Sequence, residues 1–170
     1  MKKIIVAAKS ENNVIGKSGG LPWDMPADRA FFLDIIADGW LLTGRTSYES
    51  NQGSSLFHEE RDFIIVTRRE DYEAPGAIVV HSLEAGFAAA EAAGAEQLYV
   101  LGGGKIYAQA MDSVDRLIIT EIHTELEGDV FFPKIDFDKW REVSREDRAR
   151  DAENPYDYSF VVYERRCNFR

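Results

Sequence analysis

The chain has 170 residues, of which 45% are hydrophobic and 12% aromatic, a composition typical of one folded domain and not of a disordered chain. Its net charge of −10 argues against a general nucleic-acid binder, and no apolar run approaches the roughly 20 residues that span a membrane. The single cysteine, Cys167, predicts a reducing compartment, so the expected location is the cytoplasm. The three histidines lie far apart in the sequence, and no metal site is expected.

Strands and helices alternate in the elements that the sequence predicts. Residues 4–8 follow two lysines and are too short an apolar run for a secretory signal, so we interpret them as part of a buried first strand. Pro26 suits the first turn of the first helix, Ser82 is a candidate N-cap of the third helix, and Gly94 is a candidate stop for it. The predicted strands are residues 3–8, 40–43, 63–67, 77–80, 97–101, 117–122, 140–144 and 159–164, and the predicted helices are residues 26–37, 45–50, 83–93 and 105–111.

This order of elements predicts an α/β fold with a single domain over residues 1–170. Because strands and helices alternate, the sheet is expected to be mostly parallel. The last two strands have no helix between them, which predicts an antiparallel C-terminal strand. The acidic segment 145–157 is expected to be a surface connection between these two strands.

Three segments at the ends of predicted strands could bind phosphate groups. The turn Gly102-Gly103-Gly104-Lys105 opens a helix and could bring backbone N–H groups to a phosphate, although a simple tight turn explains it equally well. Gly44-Arg45-Thr46-Ser47 repeats this arrangement and could hold the other side of one pyrophosphate. Thr67-Arg68-Arg69 would suit a phosphate monoester such as that of the phosphorylated nicotinamide cofactor, or it could be ordinary surface charge.

A fourth segment brings an acid to an apolar setting. Two prolines and a tryptophan precede Asp28 in the run Leu21-Pro22-Trp23-Asp24-Met25-Pro26-Ala27-Asp28, and Phe32 follows on the same helix face. A carboxylate buried there must find a partner or hold a proton. A helix-stabilising acid beside core aromatics is the alternative, but the neighbouring glycine-containing loop 14–20 favours a lid over an apolar pocket.

Taken in order, these segments resemble the dihydrofolate reductase family over almost the whole chain. The matching segments are Val14-Ile15-Gly16, Leu21-Pro22-Trp23, Pro26-Ala27-Asp28, Phe31-Phe32, Gly44-Arg45-Thr46-Ser47-Tyr48-Glu49-Ser50, Leu101-Gly102-Gly103-Gly104, Thr120, and Glu127-Gly128-Asp129 before Phe132-Pro133. The resemblance implies a central eight-stranded sheet with about four flanking helices. It also implies NADPH as cofactor, dihydrofolate and antifolate inhibitors as ligands, a monomer, and reduction of 7,8-dihydrofolate to tetrahydrofolate.

The resemblance further implies a role for each matching residue. The implied catalytic residues are Asp28, Trp23 and Thr120, with hydride passing to pterin C6 and a proton to N5. The implied substrate-binding residues are Val6, Asp28, Phe32, Arg61, Leu101 and Thr120. The implied cofactor-binding residues are Ala8, Ile15, Gly16, Gly20, Gly44, Arg45, Thr46, Ser47, Thr67, Arg68, Gly102, Gly103, Gly104, Lys105, Ile106 and Tyr107. Loop 13–23 corresponds to the mobile lid, and Asp129 either bonds this lid or is a turn acid.

Two departures from the family pattern concern the groove for the substrate's glutamate tail. Arg29 stands where members usually carry an apolar residue, and the segment 51–60 is longer than usual and lacks a Pro-Leu-Pro-Gly run. We expect Arg29 to contact the substrate's glutamate or to crowd diaminopyrimidine inhibitors. Two other functions remain possible at this point: a same-fold reductase of a ribosylated pyrimidine in riboflavin synthesis, which would lack the acid-bearing run, and a non-catalytic nucleotide-binding module.

Overall fold

The computed structural model describes residues 1–50, 56–57 and 60–166. Residues 51–55 and 58–59 of the segment 51–60, and Cys167, therefore lie outside the described residues. In chain order the described elements are β1 (Lys2–Ser10), β2 (Val14–Gly16), α1 (Pro26–Ile35), a 3₁₀ turn (Ile36–Asp38), β3 (Trp40–Gly44), α2 (Arg45–Tyr48), β4 (Phe63–Val66), β5 (Ala77–Val80), α3 (Leu83–Ala92), β6 (Gln97–Val100), α4 (Gly104–Ala110), β7 (Arg116–Ile122), β8 (Val130–Phe131), β9 (Trp140–Arg148) and β10 (Tyr158–Arg165).

Eight of these strands form one sheet in the order β5-β4-β3-β6-β1-β7-β10-β9. The pairs from β5 to β7 are all parallel, whereas β10 is antiparallel to both β7 and β9. The structure thus confirms the predicted α/β class, the eight strands and the antiparallel C-terminal strand. Apolar clusters cover both faces of the sheet, which explains why the central strands are continuous apolar runs.

Local signals account for the ends of several elements. Ser82 caps α3 as predicted, since its Oγ accepts a hydrogen bond from Ala85 N at 3.1 Å. Gly94 follows the end of α3 with a φ of 83°, a conformation that glycine adopts readily. Helix α1 ends at Ile35, two residues before the predicted end, because the chain tightens into the 3₁₀ turn.

Two features of the sheet architecture were not predicted. Strands β2 and β8 pair antiparallel in a separate small sheet, within segments expected to be loops. Strand β9 continues to Arg148, so the predicted surface connection 145–157 begins four residues too early. In both cases the sequence lacks a periodic hydrophobic signal. Strands β2 and β8 are too short to show one, and β9 is an edge strand in which only Trp140 is buried.

No described helix has both the length and the apolar character needed to cross a membrane. Within the same described ranges, no three His, Cys, Asp or Glu side chains cluster where they could hold a metal ion.

Candidate active site

A cavity of about 1390 Å³ opens at the carboxyl ends of the parallel strands. Strand β6 lies between β1 and β3, so the direction in which the chain adds strands reverses there, and open α/β sheets bind ligands at such points. The cavity wall contains most of the predicted site residues: Val6, Ala8, Ile15, Gly16, Gly20, Trp23, Asp28, Phe32, Gly44, Arg45, Thr46, Ser47, Thr67, Arg68, Leu101, Gly103, Gly104, Lys105, Ile106, Tyr107 and Thr120.

Asp28 reaches the cavity from the first turn of α1. Pro26 occupies the start of the helix as predicted, and the side chain of Asp28 is only 8% exposed. Phe32 lies one turn later and lines the same cavity. The structure therefore brings together the acid and the phenyl ring that the sequence placed on one helix face.

Burial raises the pKa of the Asp28 carboxyl above its ordinary value. The hydroxyl of Thr120 on β7 and the charge of Arg29 act in the opposite direction, because both favour the carboxylate, but their effect is smaller. Burial together with the charge of Asp28 also raises the pKa of Tyr107, whose hydroxyl donates to Val6 O at 2.8 Å. The cavity thus contains an acid poised to hold a proton, which is typical of a functional site.

This buried acid predicts a pH-dependent stability of the ligand-free protein. The pKa of Asp28 is higher in the folded protein than its value of about 3.9 in the unfolded chain. The folded state therefore loses stability as the pH rises from about 3.9 through the pKa of the folded protein. Asp28→Asn removes this loss, so we expect a higher melting temperature than wild type at neutral pH and little difference at strongly acidic pH. For a chain of this size, 1 kcal/mol corresponds to roughly 2–4 °C, which thermal denaturation resolves. A lower melting temperature of the variant at neutral pH would contradict the prediction.

The indole of Trp23 presents a donor that the described residues leave unpaired. Its Nε1 is buried, has no hydrogen-bond partner in the described part of the chain, and belongs to a side chain that lines the cavity. A buried N–H without a partner is costly, so the site suits a ligand or water that accepts this hydrogen bond.

The segment 13–23 lies over the cavity, where it is held by contacts with β8 and with Asp129, the residue directly before β8. Asp129 N donates to Gly16 O at 3.0 Å, and Ser18 N donates to the Asp129 carboxylate at 3.1 Å. The structure thus contains the contact between Asp129 and this segment that one of the two interpretations predicts. The segment also carries the exposed Leu21, whereas Trp23 at its end is buried.

The two glycine segments meet on the cavity wall. Gly44 N and Thr43 Oγ1 donate to Gly102 O at 2.8 Å and 3.1 Å, so the end of β3 is tied to the turn after β6. A Cβ on Gly103 would lie 3.2 Å from Ser47 Oγ, and Gly102 has a φ of 106°. The turn therefore requires glycine, and its open backbone lies beside the Ser47 hydroxyl and the Arg45 guanidinium.

The third segment forms a basic corner at the end of β4. Thr67 Oγ1 accepts from Arg69 N at 3.1 Å, and Arg68 lines the cavity. His81 Nδ1 lies 2.9 Å from Thr67 O; because a carbonyl only accepts, this nitrogen carries the proton and Nε2 is left for other partners. Arg45 is already paired, at 2.8 Å, with Glu49.

Two predicted site residues are not on the cavity wall. Gly102 lies within the turn after β6, and its carbonyl accepts hydrogen bonds from Thr43 Oγ1 and Gly44 N at the end of β3. Arg61 donates from Nη2 to Ile36 O at 2.6 Å and more weakly to Gly39 O, so its guanidinium binds the end of the helical segment that begins with α1. The role of Arg61 towards a substrate tail stays a prediction.

Several wall residues belong to no functional motif in the sequence. His81 and Ser82 directly follow β5, so their position after a parallel strand marks them in the same way as Thr67 after β4. The others have no local signal because they reach the cavity through packing: Met25, Leu33, Leu56, Phe57, Val66, Leu83, Glu84, Gln109, Val130 and Phe131.

Comparison with known proteins agrees with this geometry. A family model described as dihydrofolate reductase matches residues 3–165. The chain is 41% identical to a dihydrofolate reductase of Neisseria gonorrhoeae over 96% of this chain and 98% of that protein, and 38% identical to one of Bacillus subtilis over 95% and 93%.

A solved structure of a dihydrofolate reductase from Enterococcus faecalis, complexed with NADP(H) and RAB-propyl, superimposes with a TM-score of 0.86. It is 32% identical in sequence, and the match covers 98% of this chain and 97% of that one. The chain belongs to the dihydrofolate reductase family.

Proposed function

We propose that the protein reduces 7,8-dihydrofolate to 5,6,7,8-tetrahydrofolate with NADPH. The observation that carries the proposal is one cavity that joins a buried acid of raised pKa, Asp28, to a glycine turn and a basic corner. Family membership and the solved relative with NADP(H) support the same activity. A riboflavin-pathway reductase and a non-catalytic module are not favoured, because the acid, lid and phosphate segments are all present in one site.

Asp28 is the residue that we assign to the pterin. As a carboxylate it accepts two hydrogen bonds in a plane, which matches a ring N–H and an adjacent amino group. Thr120 is close enough to lower the pKa of this carboxyl and so supports the interaction. Val6, Phe32 and Leu101 supply apolar wall around the ring.

When bound, NADPH supplies the hydride that pterin C6 receives. NADPH does not supply the proton for N5, so another group in the site must deliver it. An acid that grips the amino-group edge of the ring lies away from N5, so we assign the transfer to a water molecule that Asp28 polarises. Trp23, with its unpaired indole N–H, is placed to hold a polar group at the lid end of the cavity.

The chain's own residues fit the cofactor. A Cβ at Gly104 would approach Val130 and Phe131 within about 3.1 Å, so the tight turn has no room for a side chain and can present its backbone N–H groups to a diphosphate. Thr46, Ser47 and Lys105 lie on the same wall. The residues that we assign to the nicotinamide half are Ala8, Ile15, Gly16, Gly20, Ile106 and Tyr107.

The direct test is the oxidation of NADPH by the purified protein. We expect turnover only when dihydrofolate is added, and tetrahydrofolate as the product identified by mass spectrometry. NADPH consumption that does not depend on dihydrofolate, or none at all, would overturn the proposed function.

The basic corner predicts a preference for NADPH over NADH. Arg68 offers a planar guanidinium to the additional phosphate, and a charge-assisted hydrogen bond is worth about 1.5–3 kcal/mol. Arg68→Ala should therefore raise the KM for NADPH by about 10- to 100-fold while leaving the KM for NADH almost unchanged. Steady-state kinetics with both cofactors checks this. If Arg68→Ala raised the KM for NADPH and the KM for NADH equally, Arg68 would have a structural role and would not select the cofactor.

Arg29 predicts an effect on the substrate tail. It lines the cavity beside Leu33, and its Nη2 lies 3.3 Å from Asp24 Oδ1 in a pair whose side chains are both largely exposed. Such a pair contributes at most about 1 kcal/mol, so the guanidinium can turn to a substrate carboxylate. We expect Arg29→Leu to raise the KM for dihydrofolate by about 3- to 10-fold, and to increase affinity for a diaminopyrimidine inhibitor. Arg29→Lys is the charge-retaining control, and unchanged KM and inhibitor affinity in Arg29→Leu would contradict the prediction.

We further propose that the enzyme is a single-domain monomer in the cytoplasm. The cavity within a single chain already joins the buried acid, the glycine turn and the basic corner, and the lone cysteine suits a reducing compartment. Sedimentation analysis at enzyme concentrations that span the assay range tests the oligomeric state.

A further inference from the structure

Helix α1, which carries Asp28, lacks an N-terminal cap of its own. Its N-cap position is Met25, whose side chain makes no capping hydrogen bond. Pro26 has no N–H to satisfy, so Ala27 carries the first free donor of the helix. That donor lies one residue before the acid.

The missing cap comes from the connection between β9 and β10. Ala27 N donates to Asn154 Oδ1 at 3.0 Å, across 127 positions of sequence. Asn154 is only 4% exposed, and its own N and Nδ2 donate to one carboxylate oxygen of Asp151 at 2.8 Å and 3.0 Å. Since the carboxylate only accepts, the amide orientation is settled: Nδ2 faces Asp151 and Oδ1 faces the helix.

Apolar packing joins the same two segments. The rings of Phe31 on α1 and Phe160 on β10 stack with centroids 3.9 Å apart. Trp23 and Met25, at the entrance to α1, are buried in one cluster with residues of β7 and β10. The start of β10 therefore holds the side of the helix, while Asn154 holds its first turn.

We propose that Asn154 is a positioning residue for Asp28, acting through the N-terminal cap that it supplies to α1 from the β9–β10 connection. The inference rests on the proposed function for its meaning in catalysis, but the contact itself does not. Asn154 does not line the cavity to which we assign substrate and cofactor, and its effect reaches the acid through one turn of helix.

The position of the Asp28 side chain determines how far burial raises the pKa of its carboxyl. The groups that act on its charge are Arg29 from α1 and the Thr120 hydroxyl from β7, and the charge of Asp28 in turn raises the pKa of Tyr107 on α4. Removing the Asn154 acceptor leaves the positive end of the Ala27 N–H uncompensated and lets water reach the turn, and both effects lower the pKa of Asp28. A carboxylate in place of Asn154 keeps the acceptor but adds a negative charge nearby, which raises that pKa.

The test compares wild type with Asn154→Ala and Asn154→Asp. The Asp28 carboxyl is titrated by carbon-13 NMR in the ligand-free proteins, and the rate of NADPH oxidation with dihydrofolate is followed against pH. We expect the midpoint to fall by about 0.5 unit in Asn154→Ala and to rise in Asn154→Asp. On the alkaline side the rate of Asn154→Ala should then be about threefold lower, with the rate on the acidic side nearly kept.

Asp136→Ala is the matched control. The Asp136 carboxylate also accepts from a backbone N–H, that of Asp138 at 2.9 Å, but in a loop outside the cavity wall. This control should leave the midpoint unchanged. Midpoint shifts in opposite directions support the proposal, and any other pattern, including uniformly lower rates at an unchanged midpoint, overturns it.

Two arrangements keep the test decisive. If Asn154→Ala does not fold, Asp151→Ala removes the carboxylate that orients the amide, and the same downward shift is expected. If the wild type fails to turn over dihydrofolate, the proposed function fails, whereas the NMR titration still decides the role of Asn154.

Discussion

Replacing Asp28 by asparagine is expected to lower kcat/KM for dihydrofolate by about 10²- to 10⁴-fold at neutral pH, the range for loss of a general acid. The amide keeps the size of the side chain but offers one acceptor and one donor, so one donor of the pterin edge faces an N–H. It also removes the only strongly buried carboxyl on the described part of the cavity wall, and with it the group whose pKa burial raises. Steady-state kinetics across a range of pH measures both losses.

The pH profile separates the two effects of Asp28→Asn. Wild-type turnover should fall as the pH rises through the raised pKa of Asp28, because the reaction consumes a proton and the ionised acid can no longer pass one to the water that delivers it to N5. The variant should lack this transition. Asp34→Asn is the control, since Asp34 lies exposed on the same helix and outside the cavity wall. Turnover of Asp28→Asn within threefold of wild type would remove the role given to the acid.

Replacing Gly128 by alanine is expected to release the lid and lower the rate of hydride transfer by about 10- to 100-fold, as water exclusion is lost. A Cβ at this position would lie 2.2 Å from Val14 Cγ1 and 2.6 Å from Gly16 O, and the second atom belongs to the backbone of β2. The two segments must separate. The hydrogen bonds of Asp129 to Gly16 and Ser18 then break with them.

Pre-steady-state kinetics with deuterated cofactor measures the effect of Gly128→Ala on the hydride step. The control is Glu127→Ala, because this neighbouring side chain is almost fully exposed and, among the described residues, makes a single ion pair, at 3.7 Å, with Lys17. The control should behave as wild type. A hydride rate of Gly128→Ala equal to that of the control would show that the lid tolerates the separation.

The strand ends show how far reasoning from the sequence reached. Gly44, Thr67 and Leu101 each end a short apolar run, and parallel strands bring their carboxyl ends to one edge, so their meeting was predictable. His81 ends a run of the same kind and was missed only because no motif marked it. Asp129 allows two interpretations from the sequence, since a turn acid and an acid that contacts the lid have the same local pattern.

Arg61 and the β9–β10 connection mark where such reasoning stops. The sequence places Arg61 just before β4, but its direction depends on the carbonyls at Ile36 and Gly39, which no local pattern foretells. Asn154 reads as an ordinary loop residue, and only the pairing of β10 with β7 brings it to the first turn of α1.

The order of the helices and of the eight strands in the main sheet, several caps and turns, and the residue types that a pterin and a dinucleotide need all follow from the amino-acid sequence. Each of these depends on neighbours a few positions away, as with Ser82 at the start of α3 or Asp28 and Phe32 on one helix face. Which groups are buried, paired or left unpaired depends instead on contacts that form only in the folded chain. The raised pKa of Asp28, the unpaired indole N–H of Trp23 and the cap from Asn154 all arise from contacts between segments distant in the chain. Desolvation and hydrogen bonding act through space, so the chemistry of the acid that the sequence singled out depends on the whole fold.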